Sequence, residues 1–346
     1  MWRRFMFKRF TTRIVLAVSM ILILQTSASA QRVRRVLFPT PEQFIASAEA
    51  QRIIEDASAF VGNDLQREYS MVCSSTGPER AALARQRAGL PPIENYTVEP
   101  TQVFDNMWYV GPTSQGAFVI TTNEGLILID TLNSTEEARD ILIPSMQKAG
   151  LDPTQIKYIV LSHGHPGQTD HTGGANYLQS LYGAKVAMGK PDWDATLPFQ
   201  SPDRPLANRD IDIITGSTLT LGDTTLSFAL EPGHSPGSLA MFIPVVWRGE
   251  PTMVMLLAGA MQTPDREAYD ALEHIMNDIA KPRNVRGVLN THAGIFQDTL
   301  EDMEMIRNNP DGPNPLLYGQ DQAQRYWSMI VECARARVIA LEDATD

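Results

Sequence analysis

The chain has 346 residues, 43% of them hydrophobic, which is enough for one large domain with an additional segment. Its 40 acidic and 29 basic residues give a formal net charge of -11. Residues 1–30 hold five basic residues and no acidic one, so the remainder has 24 basic residues against 40 acidic ones, a net charge of -16. Such an acidic surface repels phosphate backbones, which excludes nucleic acid as a partner.

Residues 1–30 have the features of a cleavable export signal. The basic start is followed by an apolar run at residues 14–24 and by Ser-Ala-Ser-Ala at residues 27–30, a small-residue pattern that signal peptidases cleave. The apolar run is shorter than the ~20 residues needed to cross a bilayer, which disfavours a permanent membrane anchor. The sequence therefore predicts a periplasmic or secreted protein that begins at Gln31 and has no stable membrane insertion.

Residues 31–101 are predicted to form an N-terminal helical segment and a linker. Apolar residues at mixed three- and four-residue spacing between residues 41 and 73 predict one or two helices. Four prolines and two glycines then interrupt residues 75–101, which indicates an extended connector on the surface.

The chain contains two cysteines, Cys73 and Cys333. In an oxidising compartment they could form a disulfide between the N-terminal segment and the C-terminal helix, whereas in a reducing one they would be buried free thiols. The sequence alone leaves both alternatives open. With no third cysteine, neither is expected to belong to a thiolate zinc site.

Residues 102–300 are predicted to form the main domain, and residues 301–346 a helical extension packed on it. Short β-rich runs alternate with helical patterns near residues 135–149, 174–182 and 266–279, which predicts an α/β layer fold with buried sheets. The longest C-terminal helix is expected at residues 321–341. The predicted strands are residues 118–121, 126–129, 158–161, 185–188, 218–221, 225–230, 239–245, 253–257 and 285–290.

Three of the six histidines lie in the sequence SHGHPGQTDHTGG at residues 162–174, directly after a predicted strand. His163 and His165 should share a face, since alternate residues of an extended chain point the same way. Asp170 and His171 are expected to open the next helix, with two glycines at its start allowing close packing. This clustering of histidines indicates a metal site.

Two further histidines, His234 and His292, each follow an apolar strand, and loops at strand ends commonly carry functional residues. His274, on a predicted helix, is interpreted as an ordinary surface histidine. Imidazoles with one carboxylate and no thiolate are typical of catalytic zinc. The six candidate metal ligands are therefore His163, His165, Asp170, His171, His234 and His292.

These residues, with LILID at residues 126–130, resemble the metallo-β-lactamase superfamily over roughly residues 103–296. The chain is most similar to the periplasmic third subclass of β-lactamases and their uncharacterised relatives. The resemblance implies an αββα four-layer sandwich, here with extra N- and C-terminal helices. It also implies two zinc ions, the first held by His163, His165 and His234, the second by Asp170, His171 and His292, with Asp170 orienting the nucleophile and Asp130 supporting the loop beneath the metals.

The chain departs from this family in two places. The family motif H-x-H-x-D-H has one residue where this chain has four, at residues 166–169. The extra three residues are almost one helical turn, so the insert either bulges outward or disturbs the second site and leaves one zinc ion. Residues 257–260 lack the bridging aspartate of many dinuclear relatives, which favours the lactamase-like arrangement over the glyoxalase and phosphodiesterase branches.

The sequence therefore predicts an exported zinc-dependent hydrolase that uses metal-bound hydroxide to open an activated carbonyl of a small molecule, namely a β-lactam (C–N) or a lactone ring. The alternatives are an ester or thioester hydrolase of the same fold, and a metal-binding module with catalysis impaired by the insert. Thr263, Arg266 and Ser235 lie in loops that could hold a substrate carboxylate, but no spacing selects one of them. The oligomeric state is not indicated.

Overall fold

A computed structural model describes residues 38–73, 97–259, 263–293 and 299–345. The predicted export signal and most of the predicted linker lie outside these ranges. Within them, every helix is too short or too polar to cross a membrane.

Seven strands form the first sheet and lie side by side in chain order. They are Thr101–Phe104 (β1), Met107–Val110 (β2), Ala117–Thr122 (β3), Gly125–Ile129 (β4), Ile156–Leu161 (β5), Lys185–Gly189 (β6) and Ile211–Ile213 (β7). Neighbouring strands are antiparallel from β1 to β4 and parallel from β4 to β7. The carboxyl ends of β4 and β5 therefore lie at the same edge of the sheet.

The second sheet has five strands in the order β12-β11-β10-β9-β8. They are Thr218–Leu221 (β8), Thr224–Leu230 (β9), Leu239–Trp247 (β10), Glu250–Leu257 (β11) and Val285–Leu289 (β12). β11 and β12 are parallel, and the other neighbours are antiparallel.

The described residues contain ten α-helices: Pro41–Ala46 (α1), Ala48–Ala57 (α2), Gln66–Val72 (α3), Thr135–Glu137 (α4), Ile143–Lys148 (α5), Ala175–Tyr182 (α6), Lys190–Thr196 (α7), Arg266–His274 (α8), Thr299–Asn308 (α9) and Gln320–Asp343 (α10). A π-helical segment, Ala138–Leu142, joins α4 to α5, and another, Ile275–Ala280, continues α8. Short 3₁₀ turns lie at Ser58–Phe60, Pro153–Gln155 and Leu197–Phe199.

The two sheets pack face to face and are covered by helices on their outer faces. Phe118 of the first sheet and Phe228 of the second belong to the apolar core between them. Outside the first sheet, α5, α6 and α7 contribute a second apolar cluster that includes Trp193. Outside the second sheet, α8 and α10 contribute a third cluster that includes Trp327. This arrangement confirms the αββα four-layer sandwich.

The N-terminal helices pack on α10. Ile53 of α2 and Ala336 of α10 belong to one buried cluster. Cys73 and Cys333 form a disulfide that links the end of α3 to α10, which decides between the two alternatives for the cysteines. Beside it, the buried Arg337 donates a hydrogen bond of 2.6 Å to the carbonyl of Val72.

The structure differs from the sequence prediction in a few elements. Residues 41–73 form three α-helices instead of one or two, because Ser47 ends α1 and caps α2, and a short turn at residues 58–60 follows α2. The hairpin β1–β2 was missed because each strand has four residues, although Asp105-Asn106 between them is typical turn sequence. β7 was missed because its three residues include a polar, exposed one.

Candidate metal centre

The candidate ligands lie in loops that follow the carboxyl ends of strands in both sheets. His163 and His165 follow β5, His234 follows β9, and His292 follows β12. Asp130 directly follows β4. The carboxyl ends of strands from both sheets thus bring residues far apart in sequence to one place.

Three histidines form the first group of donor atoms. Nε2 of His234 lies 3.1 Å from Nε2 of His163 and 3.0 Å from Nε2 of His165. Two nitrogens bound tetrahedrally to one zinc ion at 2.0–2.1 Å are about 3.3 Å apart. The three imidazoles therefore fit one zinc ion with little movement.

Asp170 and His171 form a second group beside the first, since their donor atoms lie within 4.8 Å of each other and of one in His163. Nε2 of His171 lies 3.0 Å from Nε2 of His292, and Oδ2 of Asp170 lies 4.0 Å from Nε2 of His163. The other carboxylate oxygen of Asp170, Oδ1, is buried without a hydrogen-bond partner among the described residues. A buried oxygen of this kind is stabilised by a cation, so Asp170 and His171, with His292 beside His171, are a second candidate metal-binding group.

The insert at residues 166–169 does not separate the two groups. A hydrogen bond of 3.1 Å from Gln168 N to the carbonyl of His165 closes a tight turn, so the insert bulges while Asp170 returns to the centre. The prediction that Asp170 and His171 open a helix was wrong. α6 begins only at Ala175, and His171 has a left-handed backbone (φ 64°) that cannot continue into a helix.

Asp130 fixes the orientation of ligands in both groups. Its carboxylate accepts hydrogen bonds from the backbone N of Ser162 at 2.7 Å and from the Ser162 hydroxyl at 2.8 Å. It also accepts from Nδ1 of His171 at 2.8 Å. Because the Ser162 hydroxyl donates to Asp130, it accepts from Nδ1 of His163, 3.1 Å away. One buried carboxylate thus leaves the Nε2 lone pairs of both His163 and His171 free for a metal.

Two further observations indicate neutral, metal-binding imidazoles. Burial, reinforced by the neighbouring histidines, holds the pKa of His163 well below its ordinary value. Nδ1 of His292 lies 2.8 Å from the carbonyl oxygen of Ser114 and donates to it, which leaves Nε2 to face His171. Neutral imidazole is the form that ligates a metal ion.

Asp192 is a buried residue that the sequence analysis missed. Its carboxylate accepts from Gly164 N at 2.9 Å, from the Ser235 hydroxyl at 2.6 Å and from Gly237 N at 2.7 Å. It therefore joins the loop carrying His163 to the loop carrying His234. Burial raises the pKa of the Asp192 carboxyl above its ordinary value, and these three hydrogen bonds partly offset the shift. The aspartate lies on α7 without any motif, so its spacing gave no signal.

Replacing Asp192 by asparagine is expected to lower zinc affinity by about 10- to 100-fold, the effect usual for residues that orient ligands. An amide has one acceptor oxygen, so at least one of the three donors loses its partner. Competition with a chromogenic chelator would measure the affinity. Asp194→Asn is the matched control, because Asp194 lies on the same helix in exposed ion pairs with Lys190 and Arg209. Equal zinc affinity in both variants would contradict this assignment.

The three residues considered for a substrate carboxylate are engaged elsewhere. Thr263 is wholly buried and lies 3.4 Å from the carbonyl of Ala334, and Arg266 pairs with Glu342. The Ser235 hydroxyl bonds to Asp192, as described above. All three polar side chains therefore already have partners within the protein.

Two further positions considered in the sequence, Gly259 and His274, are not candidate metal ligands. Gly259, in the segment without the bridging aspartate, has φ 61°, and a Cβ there would come within 2.4 Å of the His234 ring. Glycine therefore allows His234 to pack against this backbone. His274 is exposed and pairs with Asp278 on its own helical stretch, as expected of a surface histidine.

Comparison with known proteins agrees with this fold. Residues 110–245 match the family model of the metallo-beta-lactamase superfamily. The N-acyl homoserine lactonase AttM of Azorhizobium caulinodans is 29% identical, over 36% of this chain and 58% of the relative. The hydroxyacylglutathione hydrolase of Shewanella pealeana is 25% identical, over 44% of this chain and 48% of the relative. The chain thus spans about half the length of these curated relatives.

Solved structures extend the similarity to the whole sandwich. BJP-1, a subclass B3 metallo-beta-lactamase of Bradyrhizobium japonicum, is 27% identical with a TM-score of 0.53, covering 67% of this chain and 90% of its own. FEZ-1 from Legionella gormanii, at 18% identity and a TM-score of 0.54, covers 68% and 94% and shares the fold. This fold, with its two candidate metal-binding groups, is that of a class of hydrolases. The chain is thus similar to the metallo-beta-lactamase superfamily in sequence over residues 110–245 and in fold over about two thirds of its length.

Proposed function

We propose that this protein is an exported, zinc-dependent hydrolase that opens the activated carbonyl of a small molecule. The observation that carries the proposal is a pair of adjoining donor groups, namely the three histidines and, beside them, Asp170 with His171, which contacts His292. Two such groups side by side, despite the insert, are suited to two zinc ions.

The residues of the chain have separate functions in this proposal. Three histidines would hold one ion, and the second group would hold the other. Bound zinc supplies Lewis acidity and makes hydroxide available near neutral pH. Asp170 approaches His163 of the first group and has one oxygen unpaired among the described residues, and it would ligate the second ion and orient the attacking nucleophile. Asp130 and Asp192 would keep the ligands aligned through their hydrogen bonds.

The substrate we propose contains a β-lactam or a lactone ring. The similarity to BJP-1 supports a β-lactam, and that to the AttM lactonase supports a lactone. In both reactions water attacks a strained or activated carbonyl, so the same site geometry is suited to either ring. The similarity to hydroxyacylglutathione hydrolase makes a thioester the next class to test.

Export is proposed from residues 1–30, and the Cys73–Cys333 disulfide supports it because such bonds persist in oxidising compartments. The first experiment is elemental analysis of the mature chain purified from the exported fraction and dialysed against metal-free buffer. We expect two zinc ions per chain and hydrolysis of β-lactams or lactones in the same preparation. Protein found only in the cytoplasm would contradict export, and a metal-free, inactive chain would contradict the hydrolase.

A further inference from the structure

We propose that Arg204 gives this site a preference for substrates that carry a carboxylate, by binding that carboxylate at the opening of the metal centre. The inference rests on the proposed hydrolase function and adds to it a residue that selects the substrate. It follows from the position of the insert, the contacts of Arg204 and the charge around it.

The insert at residues 166–169 borders the side from which a substrate must approach. Among the candidate ligands, His165, Asp170 and His234 are partly exposed, whereas the other three are buried. Solvent therefore reaches the centre on the side of these three residues. The insert directly connects His165 to Asp170, so it forms part of the rim of the opening.

Arg204 is held against this insert. Nη1 of Arg204 donates a hydrogen bond to the carbonyl of Gly167, at the middle of the insert. The turn that carries Arg204 is itself closed by two backbone hydrogen bonds with Ser201, of 3.1 and 2.9 Å. Gly167 is two residues from His165, so their Cα atoms are at most about 7 Å apart. The guanidinium is thus fixed at the rim of the site.

The charge of Arg204 is available to an anion. A guanidinium has five N–H donors, and its side chain is exposed at this position. No carboxylate of the described ranges forms an ion pair with it, whereas the nearby Arg209 is paired with both Asp194 and Asp212. The chain beyond residue 30 carries a net charge of -16, which repels anions, so a local cation is needed to hold one.

An aromatic ring lies beside this cation. Phe199 is 42% exposed, and a Cβ added at Gly167 would lie 3.8 Å from its Cδ1. Arg204 and Phe199 therefore offer a carboxylate partner and an apolar surface on the same stretch of rim. A substrate with a carboxylate next to an apolar group fits this pair better than a neutral lactone does.

The test measures binding without turnover. Cobalt-substituted protein is titrated with two terminal thiols, mercaptopropionic acid and mercaptohexanoic acid, and with the methyl ester of each, and the thiolate-to-cobalt absorption band reports binding. The measured quantity is the preference for acid over ester, which separates recognition of the carboxylate from binding at the metal. Two chain lengths cover different distances from the metal to Arg204.

We expect Arg204→Gln to lower this preference by about two- to fivefold for at least one thiol, since an ion pair at an exposed position contributes on this order. Arg204→Lys should retain part of it, and Arg209→Gln, the matched control, should leave it unchanged. An unchanged preference, or an equal loss of acid and ester binding, would overturn the inference while leaving the hydrolase intact. A chain that binds no cobalt would overturn the proposed function and the inference with it.

Discussion

Replacing His234 by alanine is expected to remove zinc from the first group and to lower hydrolysis by more than about 100-fold. Loss of a residue that only orients a metal ligand costs about 10- to 100-fold, and loss of the ligand itself should cost more. Nε2 of His234 is close to the Nε2 atoms of both His163 and His165, so it completes the group. Without it two imidazoles remain, too few for a catalytic site with three protein ligands. Zinc content and kcat/KM measured on one preparation check this prediction.

The matched control is His274→Ala. His274 has a side chain that is 53% exposed and contacts Asp278, so its removal should change neither zinc content nor turnover. Circular dichroism should show both variants folded, since His234 lies in a loop rather than in the core. Normal turnover in the His234→Ala protein would refute the assignment of the first group.

Loss of the Cys73–Cys333 disulfide is expected to lower the free energy of unfolding by about 3 to 5 kcal/mol. The bond joins residues 260 positions apart, and a crosslink that closes so long a loop removes much conformational freedom from the unfolded chain. It also fastens α3 to α10, which helps to cover the second sheet. Urea unfolding with and without a phosphine reductant measures the difference.

The control for this experiment is the double variant Cys73→Ser/Cys333→Ser, whose unfolding should not respond to the reductant. Neither α3 nor α10 supplies a candidate ligand, so the double variant is expected to hold the same amount of zinc as the wild type. Equal unfolding midpoints for the wild type with and without reductant would contradict the prediction, as would two titratable thiols in the untreated protein.

The layer architecture could be predicted because the long buried strands have clear sequence patterns. β10 and β11 are nearly continuous apolar runs, as strands buried in a sandwich are, and β8 was predicted with its observed bounds. The three- and four-residue strands could not be predicted, since periodicity over so few residues is indistinguishable from a loop. Their pairing depends on neighbouring strands, which the local sequence does not describe.

The candidate ligands could be selected because histidines stand at strand ends in a recognisable order, and the family resemblance supplied Asp130. Asp192 could not be selected, because an aspartate on an amphipathic helix looks like a solvent-facing residue until the helix is placed. Arg204 was missed for a related reason. Its proximity to the insert depends on a turn some forty residues further along the chain that folds back to meet it. The insert itself could be recognised from the sequence. Whether it bulges outward could not, because that depends on the His165–Gln168 hydrogen bond.

Asp130 and His171 both have left-handed backbones, at φ 65° and 64°, and their side chains bond to each other at 2.8 Å. Such conformations cost about 1–3 kcal/mol each and persist only where the surrounding structure imposes them. The backbone amide of Thr131 donates to the carbonyl of His171 at 2.8 Å and locks this pair further. The hydrogen bonds of the protein itself therefore hold the ligand loops in this geometry. Because these loops have little conformational entropy left to lose on metal binding, we expect the metal-free protein to have the same loop geometry as the metal-bound protein.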